Sequence, residues 1–353
     1  MTDSDPRPLA APPLPGSEHC PYRTAALPPI GGRIGDDPAD FQVDERPAYA
    51  PAGDGEHHFV RIRKTGLSTP EAVDLLAAAA GVDRREIGYA GRKDKHAVTT
   101  QWLSLPAPPV APADPRVELL ETARHGRKLR LGHLAANRFT IRLVALHDDA
   151  PARLPALVAA IAPGVPNYFG PQRFGRFGLR DALNFARDPR RRVKDPRFFA
   201  SVLQSAVFNR WLGDRTRDGL LDVALAGDVL RKRDTGGLFT CADAAEDTAR
   251  VAAGALDPMG PLPGPKLMPS HGLAAEREQT AAAAYGTDLA LGAIGRVAPG
   301  TRRVSRLVAE DLDLRWDGAS LVARFTLPAG CYATTLLAEL CHPATGDLRR
   351  EEG

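Results

Sequence analysis

The chain alternates between apolar and polar positions in four separated places. His57-His58-Phe59-Val60-Arg61-Ile62-Arg63 is the first, and its period of two predicts a half-buried strand. Val98 to Leu105 repeats the pattern with strand-favouring Val98, Thr99, Thr100 and Trp102, and Phe139 to Val144 and Leu321 to Leu327 add two more. Between the first two strands the period changes, so that Val73, Leu76 and Ala80 share one face of a helix. Thr69 is placed to cap that helix, Pro70 suits its first position, Glu71 favours the positive end of its dipole, and Gly81 ends it. Asp195-Pro196 opens a second helix, predicted to run through Trp211 and to stop at Gly213. Proline punctuates 106–115 and 163–171. The proline- and glycine-rich stretch 258–272 excludes regular helix and reads as an ordered loop or linker.

Helical patterns dominate from about 152 to 290 and strands dominate on either side, with no internal repeat. The simplest architecture is an α+β domain interrupted by a mostly helical insertion. Residues 1–16, rich in Pro and Ala, hold little that can pack and read as a disordered tail.

Composition changes this picture little. With 353 residues, 43% hydrophobic and 25% charged, the chain suits a soluble globular protein of about two domains whose core needs no disulfide or metal staple. Its four cysteines form no Cys-x-x-Cys pair, so reduced thiols are expected rather than a zinc or redox site. The N-terminus has no apolar segment of the signal-peptide kind, and the apolar runs are too short to span a bilayer. A cytoplasmic protein without a membrane partner is the expectation.

Charge changes the picture more. The net charge is only +3, but residues 167–217 hold twelve Lys/Arg against four Asp, and residues 121–143 hold six against one Glu. The rest of the chain is correspondingly acidic. A single basic run describes an ordinary solvated face as well; two, segregated in this way, suit a polyanion. Tyr168, Phe169, Phe174, Phe177 and Phe185 lie among the arginines of the first run. Rings stack on bases while arginines hold phosphates, so this mixture favours RNA over a membrane surface.

The candidate chemistry sits between the first two strands, in Gly91-Arg92-Lys93-Asp94-Lys95-His96. Short loops held between rigid elements commonly carry working residues. Three cations flank Asp94, and their field favours the ionised carboxylate, which suits a nucleophile or an electrostatic stabiliser better than a general acid. An Asp between lysines equally describes a surface ion pair, and spacing alone does not choose. His57 and His58 point to opposite faces of a strand and have no second pair at ligand spacing, so no zinc site is expected there. The absence of a Rossmann glycine fingerprint and of a P-loop excludes the usual dinucleotide and nucleotide sites, and with them a cofactor-dependent methyltransferase.

Tyr89-Ala90-Gly91-Arg92-Lys93-Asp94-Lys95-His96-Ala97-Val98-Thr99-Thr100-Gln101-Trp102 closely resembles the active-site motif of the TruD family of tRNA pseudouridine synthases. Three further segments resemble family landmarks in the same order. Pro38-Ala39-Asp40-Phe41-Gln42-Val43-Asp44-Glu45, with Gly53-Asp54-Gly55-Glu56-His57, resembles its N-terminal signature. Val165 to Gly175 resembles the entry to its insertion domain, and Leu327-Pro328-Ala329-Gly330-Cys331-Tyr332-Ala333-Thr334 its C-terminal motif.

The resemblance implies isomerisation of uridine to pseudouridine in tRNA, at uridine 13 of the D arm. It makes Asp94 the nucleophile, attacking uracil C6 or ribose C1′, and implies no cofactor or metal. It further implies that Lys93, beside the nucleophile, Phe41, Asn137, Phe139 and Tyr332 meet the substrate, and that Arg173 and Arg190-Arg191-Arg192 hold the RNA backbone. By pattern alone Phe41 and Phe139 also fit core positions, Asn137 a turn, and Tyr332 the packing face of a helix with Leu336 and Leu340. Two positions depart from the family pattern: Ala136 stands where glycine is expected, and Tyr332 where Phe is frequent. The implied fold is an α+β pseudouridine-synthase domain with a mixed, largely antiparallel sheet, formed by 25–162 and 304–353 after a disordered 1–24. A mostly helical TRUD insertion at 163–303 would face its cleft across bound tRNA. A monomer with tRNA as its partner is expected, and a non-catalytic RNA-binding or chaperone protein on the same fold is the alternative.

Overall fold

The computed structural model describes residues 20–170, 173–174, 178–188, 193, 195–343 and 348. The first half of the chain forms β1 (Gly31–Ile34), β2 (Phe41–Pro47), β3 (His57–Thr65), α1 (Thr69–Ala80), β4 (Gly88–Tyr89), β5 (Val98–Leu105), β6 (Val117–His125) and β7 (Leu134–Leu146). The middle forms α2 (Ala150–Ile161), β8 (Val165–Pro166), α3 (Gly178–Arg187), α4 (Pro196–Arg217), β9 (Val229–Lys232), β10 (Leu238–Thr240), α5 (Ala244–Ala252), β11 (Leu256–Leu262), α6 (Gly272–Ala283), β12 (Thr301–Val304) and β13 (Arg306–Leu307). The end forms β14 (Glu310–Asp317), β15 (Ser320–Pro328) and α7 (Ala333–Cys341).

Two compact units result. One comprises Gly32–His147 and Ala309–Ala333; the other comprises Asp148–Val308, Thr334–Leu348 and the described residues of Met1–Gly31. These divisions fall at 147/148 and 308/309, whereas the motifs suggested 162/163 and 303/304.

The first unit is built on a nine-stranded sheet in the order β14-β15-β7-β2-β5-β3-β6, with β1 added to β7 and β4 to β5. Along this order β2 and β5 pair in parallel and the other neighbours are antiparallel, as is β4 on β5. The α+β architecture expected from the sequence is therefore present. α1 lies on the sheet through Val73 and Leu76, which meet Val60, Ile62, Leu103 and Leu105. Its start differs from the expectation. Ser68 is the N-cap, because its hydroxyl accepts the Glu71 N–H while the Glu71 carboxylate accepts the Ser68 N–H at 2.6 Å. Thr69 is thereby the first helical residue, and its hydroxyl is free to turn inward. Gly81 ends the helix at φ 66°, as its position predicted.

The second unit packs around α4, whose Phe208, Trp211 and Leu212 are buried together with Tyr168 and Leu221. α4 does not stop at Gly213 but runs on to Arg217, 22 residues from its start at Pro196. Glycine costs a helix about 1 kcal/mol, and here Gly213 lies on the buried face, where packing outweighs that cost. The segment 258–272, read as loop, begins as strand β11, which pairs with β9 and β12 in a four-stranded sheet despite Pro258 and Pro261. Gly260 lets it pass close to α4, since a Cβ there would lie 2.3 Å from the Trp211 ring. The unit thus holds a sheet that its helical periodicity did not suggest. Residues 20–24, expected in the tail, are held in place: the Glu339 carboxylate accepts the Arg23 and Thr24 N–H groups, each at 3.0 Å, and Thr24 is 1% exposed.

Candidate active site

The register of the large sheet lines up one face of five strands. Lys64 on β3 stands opposite Thr99 on β5, Thr99 opposite Val43 on β2, Val43 opposite Phe139 on β7, and Phe139 opposite Phe325 on β15. Two residues further along β2 and back along β7, Glu45 faces Asn137, which faces Leu327. Successive side chains alternate across a sheet, so Phe41, Val43, Glu45, Lys64, Thr99, Gln101, Asn137 and Phe139 all lie on this face.

Over it lies the loop between β4 and β5, fastened on both sides of Asp94. The Lys93 N–H donates to Thr69 Oγ1 at 2.9 Å, and that hydroxyl donates to Gln101 Oε1 at 2.9 Å. Lys93 Nζ reaches Glu45 Oε2 at 2.6 Å with both side chains almost fully buried, and the other Glu45 oxygen accepts the Trp102 N–H at 3.0 Å. On the other side, the buried Lys64 donates through Nζ to the Asp94 carbonyl at 2.7 Å and to the Leu67 carbonyl. The backbone of Asp94 is therefore held from β2, β3 and the start of α1, while its side chain is exposed. A carboxylate presented from a clamped backbone is preorganised for attack, because little freedom is left to lose on the way to the reacting geometry.

The electrostatics differ from what the local sequence suggests. Of the three cations beside Asp94 in the chain, Lys93 is committed to Glu45 and Lys95 to Glu71, the latter at 2.9 Å. Arg92 is exposed and makes no ion pair among the described residues. The fold brings a further cation, Lys64, to the Asp94 backbone. Burial pushes its ammonium down to about 8, against the pull of the Asp94 carboxylate and with the push of Lys93. Glu71 is held at about 2 by the Ser68 N–H and by Lys95, so it stays ionised as the lysine's partner.

Phe41 and Phe139 are buried, 4% and 7% exposed, with ring centroids 6.1 Å apart at 72°, and Phe139 stacks on Phe325 at 5.5 Å. Asn137 Oδ1 is buried without a hydrogen-bond partner among the described residues, as are Thr99 Oγ1 and Gln101 Nε2 on the same face. Orphaned acceptors and donors of this kind are uncommon in folded proteins and mark places where water or a ligand completes the bonding.

The family model for tRNA pseudouridine synthase D (TruD) matches residues 19–180 and 193–340. The chain belongs to the TruD family. Among its relatives, tRNA pseudouridine synthase D of Anaeromyxobacter sp. (strain Fw109-5) is 47% identical over 339 residues, covering 91% of this chain and 95% of the relative. A Thermus thermophilus protein of that name is 38% identical over 333 residues, covering 92% of each. The fold agrees with the crystal structure of a Methanosarcina mazei protein assigned to TruD, at TM-score 0.72 and 22% identity over 91% of this chain and 96% of that one.

Within this TruD chain the sheet unit gathers Phe41, Lys93, Asp94, Asn137 and Phe139 on one side of five strands. Tyr332, 36% exposed, lies in the same unit between β15 and α7. Arg173 belongs to the other unit, where its Nε donates to Ser205 Oγ at 3.2 Å and its guanidinium lies 5.7 Å from the Phe169 ring centre. Arg190, Arg191 and Arg192 lie outside the described residues. Glu45, Lys64 and Thr69 hold the site together, yet pattern reading gave Glu45 and Lys64 no role and Thr69 only that of a helix cap. A signal was present for two of them. Glu45 continues the inward phase of Phe41 and Val43, and Lys64 that of Val60 and Ile62, and a charge in an inward phase calls for a partner. No helix among the described residues is long and apolar enough to cross a membrane.

Proposed function

We propose that this chain converts uridine to pseudouridine in tRNA, at uridine 13 of the D arm, with Asp94 as the nucleophile. The observation that carries this reading is the clamped loop. The loop is tied on both sides of Asp94, through the Lys93 N–H and the Asp94 carbonyl, and Asp94 is left exposed above a face that carries orphaned polar atoms and aromatic rings. The uracil leaves C1′ through N1, turns, and rejoins through C5, which gives up its proton while N1 takes one up; Asp94 adds to uracil C6 or to ribose C1′ and departs again. Atoms and electrons are conserved, so the reaction calls on no redox carrier. A flipped uracil offers an N3–H donor, and Asn137 Oδ1 is the acceptor on the same face that lacks one. Tyr332 supplies a ring for the base, and Lys93, held by Glu45, sets the loop.

The insertion at about 163–303, which falls within the second unit, acts as the TRUD domain and, with Arg173 and Arg190–Arg192, holds the RNA backbone. The enzyme works as a cytoplasmic monomer. The curated relatives carry the name tRNA pseudouridine synthase D over nearly this whole length, which supports the substrate class.

The test is carbodiimide-adduct primer extension on an unmodified tRNA with uridine 13, incubated with the protein and no added cofactor. A stop mapping to uridine 13, absent without protein, is expected. A stop elsewhere overturns the site assignment, and tight binding without any stop overturns the catalytic reading in favour of a non-catalytic RNA-binding protein.

A further inference from the structure

The cations at 124–130, in the first part of the basic stretch 121–143, play no part in the site above, yet the fold gives them a setting. The loop 126–133 helps to line an open cavity of about 840 Å³, together with Tyr49, His57 and His125, with Arg127, Arg130 and His133 from the loop and no carboxylate among its lining residues. The loop is firmly based. A Cβ on Gly88 would lie 2.2 Å from the Leu129 carbonyl oxygen, so only glycine admits this close an approach. The Leu129 N–H donates to Ser104 Oγ at 2.9 Å, and Lys128 Nζ donates to the Arg85 carbonyl at 2.7 Å.

From this base two exposed guanidiniums project without neutralisation. Arg127 and Arg130 make no side-chain hydrogen bond or ion pair among the described residues, whereas Arg63 and Arg116, on the same unit, pair with Glu118 and Asp114 at 2.7 Å. The histidines add donors. His125 Nδ1 accepts the Ala52 N–H at 3.2 Å, which leaves the proton on Nε2. His57 Nδ1 is buried without a partner among the described residues. The Tyr49 ring stacks on His125 at 5.1 Å and 23°, and its hydroxyl meets His133 Nδ1 at 2.7 Å. Unpaired cations, an imidazole N–H and an aromatic wall in one cavity fit a phosphodiester with its base.

We propose that this cavity binds a nucleotide of the substrate RNA at a point remote from the target uridine. The proposal rests on the RNA-substrate part of the reading above. His57 stands seven residues along β3 from Lys64, which holds the Asp94 carbonyl. At the rise of a strand that is roughly 23 Å, and the odd spacing puts the two side chains on opposite faces. A single nucleoside cannot occupy both places; a folded RNA that turns round the strand ends can. The cavity therefore selects for the tertiary body of the RNA, while the Asp94 site takes the base.

The experiment compares the wild-type chain with Arg127→Gln/Arg130→Gln on full-length unmodified tRNA and on an isolated D-arm stem-loop, at several salt concentrations. Both arginines are exposed and bond to no other described side chain, so thermal melting should coincide with wild type and show that the variant folds. For full-length tRNA, Kd is expected to rise about tenfold and the slope of log K against log salt to flatten by about 1 to 2. The ratio of kcat/KM on full-length tRNA to that on the stem-loop should fall by the same factor. An unchanged Kd and slope on full-length tRNA overturn the proposal. Equal weakening on both RNAs overturns it too, since it would place the arginines beside the target stem. Wild-type protein that binds both RNAs but forms no pseudouridine would remove the synthase reading, and the binding comparison would still decide the cavity.

Discussion

Glu45 and Lys93 form a buried ion pair, 2.6 Å apart, that ties a central strand to the loop carrying Asp94. The second Glu45 oxygen takes the Trp102 N–H, so one carboxylate serves both the loop and the neighbouring strand. Removing one member of such a pair leaves a charge without water or partner, which costs about 3 to 5 kcal/mol.

Glu45→Gln should therefore lower unfolding free energy by about 3 kcal/mol in urea titrations and reduce kcat as the loop loosens. Adding Lys93→Met removes the stranded cation. The double variant is expected to regain much of the stability but not the activity. Recovery of both would show that the pair supports the fold without positioning the loop.

Asp94→Asn alters an exposed side chain and leaves the backbone clamps untouched. Stability within about 0.5 kcal/mol of wild type and normal tRNA binding are expected, with no pseudouridine in primer extension. Turnover near the wild-type rate would remove Asp94 from the chemistry.

Lys64 gives activity and stability opposite pH dependences. Its ammonium is pushed by burial from 10.5 to about 8, so as pH rises through about 8 the cation beside Asp94 is lost and kcat should fall. Over the same window the unfolded chain binds the extra proton, so this group's contribution to stability rises between about 8 and 10.5; it is lost again as pH falls to 8. Lys64→Met should remove the alkaline limb of the kcat profile along with most of the activity. An alkaline limb that survives in this variant belongs to another group.

Asn137 and Phe139 are near neighbours in sequence with separable roles. Phe139 packs between Phe41 and Phe325, and Phe139→Ala should cost about 3 to 5 kcal/mol of stability. Asn137 Oδ1 has no partner to strand among the described residues, so Asn137→Ala should cost under about 1 kcal/mol while lowering kcat/KM about tenfold. Wild-type kcat/KM in that variant would mean that Asn137 does not read the base.

Much of this was legible in the chain. Period-two alternation located the central strands, because a sheet face buried on one side demands it, and ordered motifs located Asp94. Boundaries were harder. Ser68 rather than Thr69 caps α1 because the partner that closes the box, Glu71, lies three residues on. β11 was concealed by Pro258 and Pro261, which lower strand propensity but leave the pairing to β9 and β12 intact. α4 runs through Gly213 because burial of its long apolar face overrides a local preference.

The sequence by itself determined the alternation that makes the sheet, the loop that bears Asp94 and the family to which the chain belongs. These are local properties, carried by residues adjacent in the chain. Tertiary structure alone decided which charges meet: Lys93 turns to Glu45, Lys95 to Glu71, and Lys64, thirty residues away, is brought to the Asp94 carbonyl. Coulomb attraction and desolvation depend on distance and burial in space, and strand register, set by pairing across the sheet, fixes both.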